Sequence, residues 1–121
     1  MAEPAVLTLA QARDVIASLR PRIREFLVAR ADFAELQADL AATGSSPRGG
    51  LAEAKALEAR LHAALEYFAG KGVQVKGFAP LLLDLPGQRD GQPVLWCWLE
   101  GDPDIAWYHR LDTGFTGRRP V

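Results

Sequence analysis

The chain has 121 residues, of which 49% are apolar and 24% charged, and its formal net charge is −1. That length fits one domain with a core of its own, and the composition excludes wholesale disorder. The balance of 14 basic against 15 acidic residues gives no global electrostatic case for nucleic acid or an anionic membrane, and a single cysteine allows no internal disulfide.

Met-Ala-Glu-Pro lacks the basic start of a secretory signal. The longest apolar run, Val94 to Leu99, is six residues, against the ~20 needed to cross a bilayer. A cytoplasmic, membrane-free protein is expected. Thr8-Leu9-Ala10-Gln11 is a capping-box pattern, in which the Thr hydroxyl and the Gln side chain each satisfy a free backbone N–H. Apolar residues then recur at Leu9, Ala12, Ile16, Leu19, Ile23, Phe26, Phe33 and Leu40, one stripe of a long helix. Pro21 removes a backbone hydrogen bond, so a kink is expected there. Thr43 to Gly50 has loop composition. Leu51, Ala54, Leu57, Leu61, Leu65 and Phe68 then predict a second helix, ended by Gly70 or Gly72. Pro21–Ala42 and Leu51–Gly70 are both roughly 30 Å long at 1.5 Å per residue, so residues 8–70 are read as an antiparallel helical hairpin. The Leu9–Leu19 stripe overhangs it and is predicted to pack on the C-terminal half.

Eight of the ten aromatics lie from Tyr67 onward, whereas 18 of 20 alanines precede residue 70. Residues 73–110 are read as a small three- or four-stranded antiparallel sheet. Val73–Lys76 alternates. Leu81–Leu85 is a short strand closed by Pro86-Gly87. Asp90-Gly91 carries turn chemistry, because both residues tolerate positive φ. Val94–Leu99 and Ile105–Arg110 form the last pair. A four-residue loop, Gly101–Asp104, would set Trp98 opposite Trp107 and Trp96 opposite His109, and a slip of one residue would flip those faces. The Trp face is read as core, since so small a sheet needs an apolar partner. The competing reading is a stacking platform, with Trp96 as a ligand contact. The fold class is therefore α+β, a helical hairpin packed on a small antiparallel sheet, with residues 111–121 as a tail.

The tail region reads Trp107-Tyr108-His109-Arg110-Leu111-Asp112-Thr113-Gly114-Phe115-Thr116-Gly117-Arg118-Arg119-Pro120. With the opening Leu-Thr-Leu-Ala-Gln-Ala-Arg and the Leu83-Asp84-Leu85-Pro86 stretch, it resembles a bacterial family of conserved proteins of unknown function. The resemblance covers nearly the whole chain and implies no activity. Chemically, His109 and Asp112 can share a proton, or hold a metal if Asp84 converges on them. Arg89, Arg118 and Arg119, with Arg110, can form a pocket for phosphate or carboxylate, or else tether the tail to nearby Asp residues.

The Walker, zinc-protease, C-x-x-C, Rossmann and G-x-S-x-G signatures are all absent. Cys97, mid-strand between two Trp, is placed badly for a thiolate nucleophile. The leading expectation is a non-enzymatic interaction or small-ligand-binding module. It would self-associate through spare apolar surface at Leu27, Leu36 and Leu57. The alternatives are an acid–base or metal-dependent enzyme using His109, Asp112 and Asp84, and an anion or nucleotide binder using Arg89, Arg118 and Arg119. The residues name no cofactor.

Overall fold

The computed structural model describes residues 6–121. It contains two helices, α1 (Leu9–Thr43) and α2 (Leu51–Gly70), followed by five strands. The strands are β1 (Gln74–Phe78), β2 (Leu81–Arg89), β3 (Gln92–Leu99), β4 (Trp107–Arg110) and β5 (Arg119–Pro120), with one 3-10 turn at Phe115–Gly117. The class is α+β. The sheet has five antiparallel strands in sequential order, not three or four, because the last two residues of the tail before Val121 add a strand beside β4. No helix among the described residues is long and apolar enough to cross a membrane.

The chain divides into two compact units. Residues 20–67 form the first. Its helices run antiparallel: Arg22 lies over the Tyr67 ring, and Arg48 in the connection pairs with Asp32 and Glu35. α1 continues past Pro21 without interruption. Its buried positions here are Ile23, Phe26, Ala29 and Leu36, whereas Phe33 and Leu40 are only half-buried. The expected stripe therefore holds to Phe26 and then moves. Leu36, expected to be spare surface, is 0% exposed, while Leu27 and Leu57 are half-buried.

Residues 6–19 and 68–121 form the second unit. Thr8 and Gln11 exchange the two expected capping hydrogen bonds, at 2.9 and 3.1 Å, which starts α1. Ala12, Ile16 and Leu19 are buried, as are Leu83, Leu85, Trp96 and Trp98 on one sheet face. Ile16, Leu19, Leu83 and Leu85 each contribute about 1.5–3 kcal/mol by this burial. Two further ties lock α1's start to the sheet. Arg13 donates to the Ile105 carbonyl at 2.8 Å, and the Trp96 indole N–H donates to the Leu7 carbonyl at 2.9 Å.

The β2–β3 hairpin turns on Asp90-Gly91, both at positive φ (51° and 78°), as a two-residue loop with matching strand twist requires. Pro86-Gly87 does not close β2; the strand runs on to Arg89. Gly87 is where the Trp96 indole crosses the strand, and a Cβ there would lie 1.9 Å from Trp96 Nε1.

The expected β3–β4 register is off by one residue. Trp107 lies opposite Cys97, Tyr108 opposite Trp96, and His109 opposite Leu95. The connection is longer than four residues because Ile105 and Ala106 leave the ladder. Ile105 sinks into the core, Ala106 accepts a hydrogen bond from Val121 N–H, and the Trp98 indole N–H clasps the Asp102 carbonyl. Trp107 and His109 are thereby carried to the face opposite Trp96.

Candidate functional site

The register divides the sequence-selected residues between two faces. Asp84, Cys97 and Trp107 are neighbours across three strands on one face, together with His109. Trp96, Tyr108 and Arg119 are neighbours on the other, together with Arg110. Each face carries a distinct group of polar side chains.

On the first face, His109 and Asp84 meet in the interior, 3% and 2% exposed. His109 Nε2 lies 3.0 Å from Asp84 Oδ2, and Nδ1 lies 2.7 Å from the Arg110 carbonyl oxygen. A carbonyl only accepts, so Nδ1 carries a proton and Nε2 is the nitrogen turned to the carboxylate. Asp84 Oδ1 is buried with no hydrogen-bond partner among the described residues. Cys97 completes the group, with one ligand atom from each of the three residues within 4.8 Å of the others. Burial, and then the charge of Asp84 beside it, push the Cys97 thiol up to about 12, with Arg118 opposing. It remains a thiol near neutrality, so no thiolate nucleophile stands here. Arg118 comes from the tail over this face and stacks on Phe115 (4.1 Å) and Trp107 (5.1 Å).

On the second face, a groove of about 520 Å³ at one end of the sheet gathers Arg89, Tyr108, Arg110 and Arg119 with Asp90 and Asp112. The Arg89 guanidinium lies 4.6 Å from the Tyr108 ring centroid, and Tyr108 meets Trp96 edge-on at 6.1 Å. Arg110 donates to Asp112 through two nitrogens, one at 2.9 Å. That hydrogen bonding holds the Asp112 carboxyl below its ordinary range and keeps it ionised near neutrality. Arg119 forms no ion pair among the described residues.

The structure thus brings His109 to Asp84 but leaves Asp112 at the surface with Arg110. It gathers Arg89 and Arg119, while Arg118 goes to the other face. Trp96 is buried with its N–H already bonded to Leu7, and its ring presents no open platform. Sequence reasoning missed Cys97 as a member of the buried group. It also missed Tyr108 as the floor of the groove. A larger cavity, about 720 Å³, lies between the helices of the 20–67 unit. Pro21, Phe26, Val28 and alanines line it with Arg22, Arg24, Arg60, Glu25 and Asp32, and its Arg22 is already stacked on Tyr67.

A family model described as "Uncharacterized conserved protein (DUF2203)" matches residues 6–121. The chain belongs to the DUF2203 family. No curated protein and no solved structure matches it. In this DUF2203 chain the family match spans both faces of the sheet, so both polar groups lie within it.

Proposed function

We propose that this DUF2203 chain is a binding module for a small phosphate- or carboxylate-bearing molecule, held in the Arg89–Tyr108–Arg119 groove. The supporting observation is the convergence of three arginines on one groove in a chain with no net positive charge. Asp112 neutralises Arg110, which leaves Arg89 and Arg119 to meet an anion. Guanidinium groups suit this because their planar donors pair with two oxygens at once. The Tyr108 ring gives a flat apolar surface beside them. Binding is favoured over catalysis because the groove's carboxylates, Asp90 and Asp112, are exposed to solvent and Asp112 is tied to Arg110. His109, Asp84 and Cys97 are buried on the opposite side of the sheet.

Titration with inorganic phosphate and pyrophosphate at low salt, read by calorimetry, tests this. Arg119→Ala and Arg89→Ala are each expected to weaken binding roughly five- to tenfold. Asp112→Asn frees Arg110 and is expected to tighten binding about threefold. The reading fails if neither anion binds the wild-type chain, or if the arginine variants bind as the wild type does.

A further inference from the structure

We propose that Asp84, Cys97 and His109 form a zinc site, unconnected with the anion groove. Three observations carry it. First, the ligand set is right: one imidazole, one thiol and one carboxylate, within 4.8 Å of one another, are donors that the borderline-soft zinc ion takes in tetrahedral sites. Second, the imidazole is oriented as zinc-bound histidines are. Its Nδ1–H is fixed on the Arg110 carbonyl at 2.7 Å, which turns Nε2 into the cluster. Third, Asp84 Oδ1 has no hydrogen-bond partner among the described residues although Asp84 is 98% buried. A buried carboxylate oxygen without a partner carries an uncompensated desolvation cost, and a metal at this position would satisfy it.

The position of the strands is what makes the site compact. Asp84 and Cys97 are directly opposed in the β2–β3 register, and His109 comes from the next strand over. No loop has to order for the ligands to meet. Arg118 lies over the same face, and a guanidinium there opposes any added positive charge. The exchange adds none. Metal-free, the cluster holds the Cys97 thiol proton and one proton between His109 Nε2 and Asp84 Oδ2. Zinc enters as a doubly charged cation and both protons leave, so the buried charge is unchanged. The fourth position falls to water or to an anion, which Arg118 is placed to balance. The only other histidine, His62, is exposed on α2 and takes no part.

The test uses the full chain stripped of metal with a chelator, then titrated with Zn²⁺ and, separately, Co²⁺. One equivalent of Co²⁺ is expected to give the near-ultraviolet charge-transfer band of a cobalt–thiolate bond. One equivalent of Zn²⁺ is expected to displace the cobalt and raise the unfolding temperature. Cys97→Ser is nearly isosteric, and circular dichroism checks that it folds. It is expected to lose the band and weaken metal binding at least tenfold. Asp84→Asn is expected to weaken binding to a similar extent, whereas His62→Gln leaves it unchanged. The proposal is overturned if the wild-type chain gives no thiolate band, or if Cys97→Ser binds metal as well as wild type. It is equally overturned if His62→Gln abolishes binding.

Discussion

Replacing His109 with alanine is expected to lower the unfolding free energy by about 3–5 kcal/mol, measured by urea denaturation with a chelator present. The reason is what it leaves behind. The hydrogen bond that Asp84 makes at 3.0 Å is to His109, and its Oδ1 has no partner at that distance among the described residues. Without the imidazole, the carboxylate remains in the interior with only the weakly donating Cys97 thiol beside it, and most of the desolvation cost of the group goes uncompensated. The imidazole's packing volume is lost as well. The double variant Asp84→Leu, His109→Leu separates these effects. Replacing a buried polar pair by apolar side chains of similar size is often neutral, so the double variant is expected to recover most of the loss. A single variant within about 1 kcal/mol of wild type would show that the pair contributes little. A double variant less stable than either single one would show that these positions need polarity for another reason.

Gly87→Ala is expected to cost about 2–4 kcal/mol. The added methyl carbon would sit 1.9 Å from Trp96 Nε1 and 2.6 Å from Cδ1, distances that no rotation of a methyl relieves. Gly87 is itself buried inside a paired strand, so the indole has to move instead. Moving it breaks the hydrogen bond to the Leu7 carbonyl and disturbs the edge-on contact with Tyr108. Two readouts distinguish this from simple strand weakening. The tryptophan fluorescence of the folded state is expected to shift, and Trp96→Phe in the same background is expected to relieve part of the cost. A melting curve unchanged from wild type would contradict the close approach.

How far the sequence could be read depended on where each constraint originates. The α1 cap and the Asp90-Gly91 hairpin rest on neighbours in sequence, and both were legible. The opposition of Asp84 and Cys97 was also within reach. Counting outward from a two-residue turn pairs Arg89 with Gln92 and, five steps on, Asp84 with Cys97. It was hidden because Pro86-Gly87 reads as the end of a strand. Proline survives there because its missing N–H lies on the side where β1 has already ended, and glycine survives because an indole lies over it. The β3–β4 register was not legible. It is set by contacts from distant residues: Arg13 on the Ile105 carbonyl and Val121 on Ala106. The one-residue slip decided the sites, since it took His109 away from Trp96 and delivered it to Asp84. The split of Arg118 and Arg119 followed from a fifth strand of two residues, too short for any periodicity to show.

Leu7, whose carbonyl holds the Trp96 indole, also forms a parallel bridge with Gly87, and this matters for the chain among its neighbours in a crowded solution. β1 pairs with β2 only as far as Asp84, so the remaining half of β2 is a flank of the sheet. Such a flank is normally a template on which a foreign strand can add, which is how folded chains begin to aggregate. Here Pro86 has no N–H to offer, and its carbonyl is already taken by Leu7 N–H at 2.9 Å. Leu7, just ahead of α1, thus blunts an edge that the meander itself leaves open. Loosening Leu7 would turn that half of β2 into a surface for strand-by-strand growth.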